Sequence, residues 1–266
     1  MFNLLSSELF RMRKRAQTWI LFLIAVLLTG LVYGGFVIAA RVNNSSEALD
    51  MRLTATFRDY AEFGIGISVG FFAGIMLIIV AAGMMGNEFS WNTLRPLVAR
   101  SRSRVGLLTA KLAALGLYSL VFVIALALIV AGMFFIGSWV VGERSGFTMG
   151  ILGDGLQEAL KMLFANLPYL ALAFMLATVF KSNAAGIAGA LGVSFIEQPV
   201  FGLLGLATDA FESIERWGIA FNVNQVSGMS GLADNMTRNV IVVLAYTVGF
   251  IAISYAVFLR RDVTSG

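Results

Sequence analysis

Cysteine and histidine are both absent from this chain of 266 residues, and proline occurs only three times. Without cysteine, the protein can form no disulfide and offers neither a thiolate nucleophile nor a sulfur ligand for a metal. Without histidine, the Ser–His–Asp triad, the HExxH zinc site and imidazole proton relays are all excluded. The scarcity of proline favours long uninterrupted helices.

Charged residues are also scarce, at 13% of the chain against 59% apolar residues, and the mean hydropathy is +0.86. Soluble domains are close to half apolar and a quarter charged. A chain this apolar has too little polar surface to cover a water-soluble globule, so we assign it to the membrane. Most membrane-embedded enzymes use cysteine or histidine, so the composition favours transport or a structural role over catalysis.

Six apolar stretches are long enough to cross the hydrocarbon core of a bilayer, which takes about 20 helical residues. The fourth carries two charged residues in its opening turns, and the fifth is interrupted by Glu197-Gln198-Pro199. We predict an all-α membrane protein with six transmembrane helices in a single domain, residues 1–266. The stretches cover residues 16–40, 61–86, 105–137, 156–180, 184–207 and 239–259.

The distribution of basic residues predicts the orientation of these spans. With the N-terminus in the cytoplasm, 12 of the 19 Lys and Arg residues face inward with three acidic residues, a net charge of +9. An even number of spans returns the C-terminus to the same side. A cleaved signal peptide is disfavoured, because its apolar core has 7–15 residues and the first run here has about 25.

Residues 1–15 form a predicted amphipathic helix before the first span. Phe2, Leu5, Leu9 and Met12 recur at spacings of three and four, which places them on one stripe. Such a helix lies in the membrane interface with its stripe toward the acyl chains. Each nearby basic residue adds about 1 kcal/mol of attraction to anionic lipid. The helix either anchors the topology alone or also contacts a cytoplasmic partner.

The segment 87–105, which follows the second span, is longer than a simple turn requires. It mixes apolar residues with four arginines, as a protein-binding surface does. A short amphipathic helix lying on the membrane explains the same composition, and both interpretations stay open at this level.

The order of residues in this segment resembles the cytoplasmic loop of ABC-2 type permeases, the membrane subunits of ATP-binding-cassette exporters. That loop typically has an acidic residue, then Gly-Thr-Leu-Arg, then Leu-x-Ala-x-Pro-x-Ser-Arg, and then a lysine that opens the third span. Asn92 replaces the glycine and Ser101 the proline. The matching positions are Glu88, Asn92-Thr93-Leu94-Arg95, the run from Leu97 to Arg104, Lys111, and the closing motif Phe258-Leu259-Arg260-Arg261-Asp262.

The resemblance implies that residues 87–105 form a coupling helix that docks on a separate ABC ATPase and transmits its closure to the spans. The chain has no GxxxxGK[ST] phosphate loop. We therefore expect no enzymatic activity and no cofactor on this chain, with ATP and Mg²⁺ bound by the ATPase partner. The coupling residues implied by position are Glu88, Trp91, Thr93, Leu94, Arg95 and Arg104.

The resemblance also implies a pair of permease copies, identical or different, in a bacterial plasma membrane with both termini cytoplasmic. Membrane lipids are the other expected partners, and no nucleic acid is expected. In the family, short re-entrant helices follow the fifth span on the outer side. Residues 200–237 fit such a pair.

Two further features are candidates for the pathway or a gate. Gly66, Gly70 and Gly74 repeat every four residues, which allows close helix packing, and the stripe serves ordinary packing, a second copy or the pathway. Glu197 is an acid well inside an apolar run, where a charge is costly, and Pro199 is predicted to bend or end the helix there. Glu197 is either structural at this break or contacts substrate or an outer gate.

Few internal charges suit a lipid-like or amphipathic, drug-like substrate, and we expect export. The alternatives are a secondary transporter or channel driven by an ion gradient, in which Glu197 carries protons, a membrane-embedded enzyme, and a non-catalytic scaffold.

Overall fold

The computed structural model describes residues 2–42, 60–94, 96–97, 103–142, 148–205, 214–228 and 235–260. Within these ranges the chain is helical apart from short turns, and none of their residues is assigned to a strand. The helices are α1 (Phe2–Lys14), α2 (Ala16–Val42), α3 (Tyr60–Ser90), α4 (Arg104–Val141), α5 (Met149–Phe180), α6 (Asn183–Gly205), α7 (Ile219–Ser227) and α8 (Met236–Arg260).

Six of these helices, α2 to α6 and α8, are long and apolar enough to cross a membrane. The predicted all-α architecture with six spans is therefore confirmed. The largest difference is in α5, which begins at Met149, seven residues before the predicted start. Its polar opening is accommodated because Glu158 and Lys161 form an ion pair one helical turn apart, at 2.7 Å.

Burial in α2 follows one face of a helix that is apolar on all sides. Leu21, Ala25 and Tyr33 are buried, whereas Leu23 and Leu31 on other faces are exposed. A helix with this composition carries no hydropathy signal that distinguishes its packed face from its lipid-facing one. Tertiary packing therefore decides its orientation.

The first half of α3 has π-helical turns, over Tyr60–Gly64 and Gly66–Ala73, before regular α-helix begins at Gly74. π-helical turns have i→i+5 hydrogen bonds, so a four-residue repeat no longer follows a regular α-helical stripe. Gly66 and Gly74 are buried and Gly70 is half-buried. A Cβ added at Gly66 would meet no described atom within 4 Å, so the structure shows no close helix contact there. Pairing through this stripe with a second copy stays a prediction.

The chain divides into two compact units, whose boundaries fall between α1 and α2 and within α3, α4 and α5. The first unit consists of Met1–Arg15, Leu77–Tyr118 and Ala165–Gly266, and the second of Ala16–Met76 and Ser119–Phe164. The predicted single domain thus contains two packing units.

In the second unit, buried aromatic side chains pack against one another and against a glycine. The Tyr33 ring stacks on Phe134 with centroids 4.2 Å apart. Tyr60 is fully buried, and its hydroxyl donates a hydrogen bond of 3.0 Å to the Ala127 carbonyl. A Cβ added at Gly155 would lie 2.7 Å from the Tyr60 Cζ, so only glycine leaves room for this ring. The buried phenol is thereby both packed and hydrogen-bonded.

In the first unit, α6 continues through Pro199 to Gly205. Of the predicted bend or end at this proline, the end is wrong, because proline removes one backbone donor but its φ is compatible with a helix. The bend stays a prediction. Residues 200–205 of the predicted outer region 200–237 therefore belong to α6. α7 lies within the same region, whereas residues 206–213 and 229–234 lie outside the described part of the chain. The re-entrant pair stays a prediction.

Candidate functional site

α1 packs on the protein through a face that differs from the predicted apolar stripe. Met12 of that stripe is buried and Leu5 and Leu9 are half-buried, while the side chain of Phe2 lies outside the described residues. The face also contains the charged Glu8, which is buried one helical turn before Met12. α1 thus places a carboxylate, and not only apolar groups, against the rest of the first unit. Its place in the membrane interface stays a prediction.

Lys111 of α4 connects this carboxylate to a second one at the end of α3. The Lys111 ammonium donates a hydrogen bond of 2.5 Å to Glu88 Oε1 and one of 3.3 Å to Glu8 Oε2. Glu8, Glu88 and Lys111 are 2%, 0% and 1% exposed, so water does not screen their interactions. A buried charge is costly unless it is paired and hydrogen-bonded. Three helices are therefore joined through one buried ammonium group.

Two arginines of the α1 region complete this cluster. Arg11 donates to Glu8 and, at 3.3 Å, to Glu88 Oε1, while Arg15 Nη2 lies 3.6 Å from the same Glu88 oxygen. Both arginine side chains are partly exposed. We name the set Glu8, Arg11, Arg15, Glu88 and Lys111 the charge junction. It contains two acids and three bases, a net charge of +1.

Close contact between α3 and the start of α6 positions the end of α3. The Asn183 side-chain amide donates a hydrogen bond of 3.0 Å to Asn87 Oδ1. A Cβ added at Gly86 would lie 2.5 Å from the backbone nitrogen of Asn183 and closer still to its Cα. The backbone immediately before Glu88 is thereby held against a second helix, which fixes where its carboxylate points.

α3 ends in a Schellman motif, in which Asn92 occupies the position with left-handed backbone. The Thr93 amide donates to the Glu88 carbonyl at 3.1 Å and the Asn92 amide donates to the Phe89 carbonyl at 3.2 Å. Asn92 has a φ of 52°, in the left-handed region. Glycine is most common at this position of the motif, and asparagine is the usual substitute because it tolerates left-handed backbone. Asn92, which stands where the motif has glycine, is therefore compatible with this helix end.

The structure separates the predicted coupling residues into an inner and an outer group. Glu88 and Leu94 are buried, so neither side chain offers a surface to a partner in this conformation. Trp91 and Thr93 are exposed and Arg104 is half-buried. Arg95 lies outside the described residues. The Arg15 guanidinium lies 5.7 Å from the centroid of the Trp91 ring, which links the outer group to the charge junction.

Sequence reasoning did not assign a site role to Glu8, Arg11 or Arg15, and it noted Lys111 only as a motif position. One signal was available, because Lys111 is the sole charged residue of α4 after Arg104. A charge within an apolar span normally faces a partner, so its position marks Lys111 as a candidate site residue in the same way as Glu197.

Glu197 of α6 holds the beginning of α7. The backbone amides of Ile219 and Ala220 donate hydrogen bonds to its carboxylate, and Gly218 packs directly against Oε1. The first amides of a helix have no partners within the helix, so an acidic side chain there satisfies them. Glu197 Oε2 is buried and has no hydrogen-bond partner in the part of the chain that the structure describes. This contact favours a structural role for Glu197.

Comparison with known proteins identifies the family. Residues 4–196 match the model of the ABC-2 family transporter proteins, and this range includes all five residues of the charge junction. An uncharacterised protein of Bacillus subtilis (strain 168), YhcI, is 21% identical in an alignment of 324 positions that covers 100% of both chains. Because the family model matches well over half of the sequence, and six helices are suited to crossing a bilayer, this chain belongs to the ABC-2 transporter family as a multi-pass membrane permease.

Proposed function

We propose that this chain is the membrane subunit of an ABC exporter whose ATPase is a separate polypeptide. Family membership supports an ABC permease role, and the sequence contains no phosphate-binding loop of its own. The observation that carries the proposal is the end of α3, where an exposed Trp91 extends from a helix terminus held by buried ion pairs. A rigidly supported exposed aromatic residue is what a docking surface needs.

The proposed ATPase contact consists of the outer group, Trp91, Thr93 and Arg104, together with Arg95 by its position in the motif. Glu88 and Leu94 take a different role from the one first predicted. Because both are buried, they support the segment from within instead of touching the ATPase. Trp91 supplies apolar area at the centre of the contact, and the arginines supply charge around it.

In this proposal two permease copies and two ATPases form the transporter, with α1 and the α3 end on the cytoplasmic side. ATP binding closes the ATPases and displaces the segment after α3, and the movement of α3 opens the pathway outward. The exported substrate is lipid-like or amphipathic, a class supported by the low charge content of the spans.

Affinity purification of the full chain from its own host tests the ATPase partnership. We expect an ABC ATPase to co-purify with the wild-type chain. Replacement of an aromatic residue at the centre of an interface costs about 2 kcal/mol or more, so Trp91→Ala should weaken ATPase binding by about 30-fold.

Trp139→Ala is the matched control, because Trp139 is 59% exposed and Trp91 is 60% exposed. Trp139 lies in the last turn of α4, outside the proposed contact. The proposal fails if no ATPase co-purifies, or if both variants retain it equally.

Reconstitution tests the energy source. Vesicles containing the permease and its ATPase should move a fluorescent phospholipid analogue when ATP is added, and a proton gradient without ATP should have no effect. Movement driven by the gradient in the absence of any ATPase would establish the secondary transporter instead.

A further inference from the structure

We infer that the charge junction is the link through which the ATPase-driven movement of α3 reaches α1 and α4, with Lys111 and Glu8 as positioning residues. This inference rests on the proposed function. It adds two residues that do not touch the ATPase and act through Glu88.

The first step is that the junction connects three separate helices at one point. Lys111 comes from α4, Glu88 from α3 and Glu8 from α1, and the two contacts of Lys111 measure 2.5 and 3.3 Å. All three side chains are almost fully excluded from solvent. Since water cannot replace a lost partner there, α1 and α4 have to follow Glu88 or leave buried charges unpaired.

The second step is that Glu88 lies at the base of the proposed docking segment. Its carbonyl accepts the Thr93 amide at 3.1 Å, so the turn carrying Trp91 is hydrogen-bonded to the same residue whose carboxylate enters the junction. A displacement of the exposed segment therefore acts on Glu88 through backbone hydrogen bonds. The side chain of Glu88 then transfers it to Lys111.

The third step is that the junction has the components for two arrangements. Glu88 Oε1 is shared by Lys111, Arg11 and Arg15, whereas Glu88 Oε2 is buried and has no hydrogen-bond partner among the described residues. Three cations compete for two carboxylates. A rotation of Glu88 that brings Oε2 to one of the partly exposed arginines would preserve the contact with Lys111. Such an exchange between two paired states is what a switching element requires.

The chain contains no cysteine, so single reporter cysteines can be introduced cleanly. Phe10→Cys places one on α1 and Ala113→Cys places one on α4, more than two turns beyond Arg104 of the proposed ATPase contact, both at exposed positions. The permease–ATPase complex is labelled with a maleimide, once without nucleotide and once after trapping with ATP, Mg²⁺ and vanadate. The measured quantity is the labelling rate of the permease in each state.

In the wild-type background both reporters should change their labelling rate on trapping. Energetic coupling between sites is typically about 5-fold to 150-fold, so we expect a rate change of at least about 5-fold. Glu8→Gln keeps the volume of the side chain and leaves Lys111 paired with Glu88. Because Arg11 and Arg15 still pair with Glu88 in this variant, it should reduce the response at α1 and preserve the response at α4. Lys111→Met removes the ion pairs that join α4 to Glu88 and Glu8, so it should abolish the response at α4 and reduce the response at α1. Lys111→Arg should restore both responses in part.

Glu158→Gln is the control, because Glu158 pairs with Lys161 within one turn of α5 and is outside the junction. It should leave both responses unchanged. Trapped nucleotide is quantified in every complex, which separates loss of coupling from loss of the ATPase.

The inference is overturned if trapping changes neither reporter in the wild type, or if both reporters respond in Glu8→Gln and in Lys111→Met as strongly as in the wild type. A complex that fails to form with the wild-type chain contradicts the proposed function itself. Glu8→Gln keeps the test decisive if Lys111→Met does not fold, because an undiminished response at α1 in that variant alone refutes the role of Glu8.

Discussion

Replacement of Gly86 by alanine tests the helix contact that positions the end of α3. The new Cβ would lie 2.5 Å from the backbone nitrogen of Asn183 and 2.7 Å from its Cβ. The nitrogen belongs to the backbone of α6, so it cannot rotate away as the end of a side chain can. The two helices have to separate for the methyl group to fit.

The size of the effect follows from these distances. Nonbonded carbon atoms are optimally about 3.5–4.0 Å apart, so α3 and α6 must move apart by about 1 Å. Overpacking of this kind costs about 1–3 kcal/mol. The shift also stretches the 3.0 Å hydrogen bond between Asn183 and Asn87, which contributes about 1 kcal/mol. We expect a total loss of about 2–4 kcal/mol, or an apparent melting temperature lower by roughly 5–15 °C.

The assay is thermal unfolding of the purified permease in detergent, followed by size-exclusion chromatography of the protein that remains soluble. Gly192→Ala is the matched control, because Gly192 lies on α6, the other helix of this contact, and a Cβ there would meet no described atom within 4 Å. Equal melting temperatures for the two variants would refute the reasoning, since the close approach at Gly86 would then have no energetic consequence.

Three further substitutions test other contacts. Tyr60→Phe removes the hydroxyl that donates to the Ala127 carbonyl and keeps the ring, so the same assay should show a loss of about 1 kcal/mol; an unchanged melting temperature would contradict this hydrogen bond. Asn92→Gly should be tolerated, because glycine adopts a φ of 52° without steric strain. Asn92→Val should lower the stability by about 1–2 kcal/mol, because the valine side chain is strained at that φ. Glu197→Ala should speed proteolysis around α7, because the helix loses the carboxylate that caps it. Glu197→Gln retains an acceptor oxygen, so its α7 should resist proteolysis. Equal cleavage of both variants would exclude the capping role.

The site could be predicted in part, and each success has a local cause. Glu88 and Trp91 were identified because the order of residues around them matches a family motif, and a motif is contiguous in sequence. The same motif gave no information on which of its side chains point outward. Glu88 was therefore predicted to touch the ATPase, although its carboxylate is buried among residues of α1 and α4.

Glu197 illustrates the same limit for a single residue. Its position inside an apolar run correctly marked it as a charge that needs a partner. The partners are the backbone amides of Ile219 and Ala220. Nearly every residue has a backbone amide, so the residue types at these positions do not indicate the contact. The contact between α6 and α7 could not be predicted from side-chain chemistry.

The sequence by itself determined the number of spans and their helical state, because an apolar run in lipid must satisfy its backbone hydrogen bonds internally. It also permitted the turn after α3, since Asn92 accepts the left-handed backbone that the helix end requires, although the sequence did not predict this turn. Only the tertiary structure decided which face of α2 is packed, because that helix is apolar on every side. The tertiary structure also decided the partners of Lys111, which come from residues 23 and 103 positions away along the chain. An ion pair between helices depends on which helices are in contact in the folded protein, and a local pattern of residues does not specify that contact.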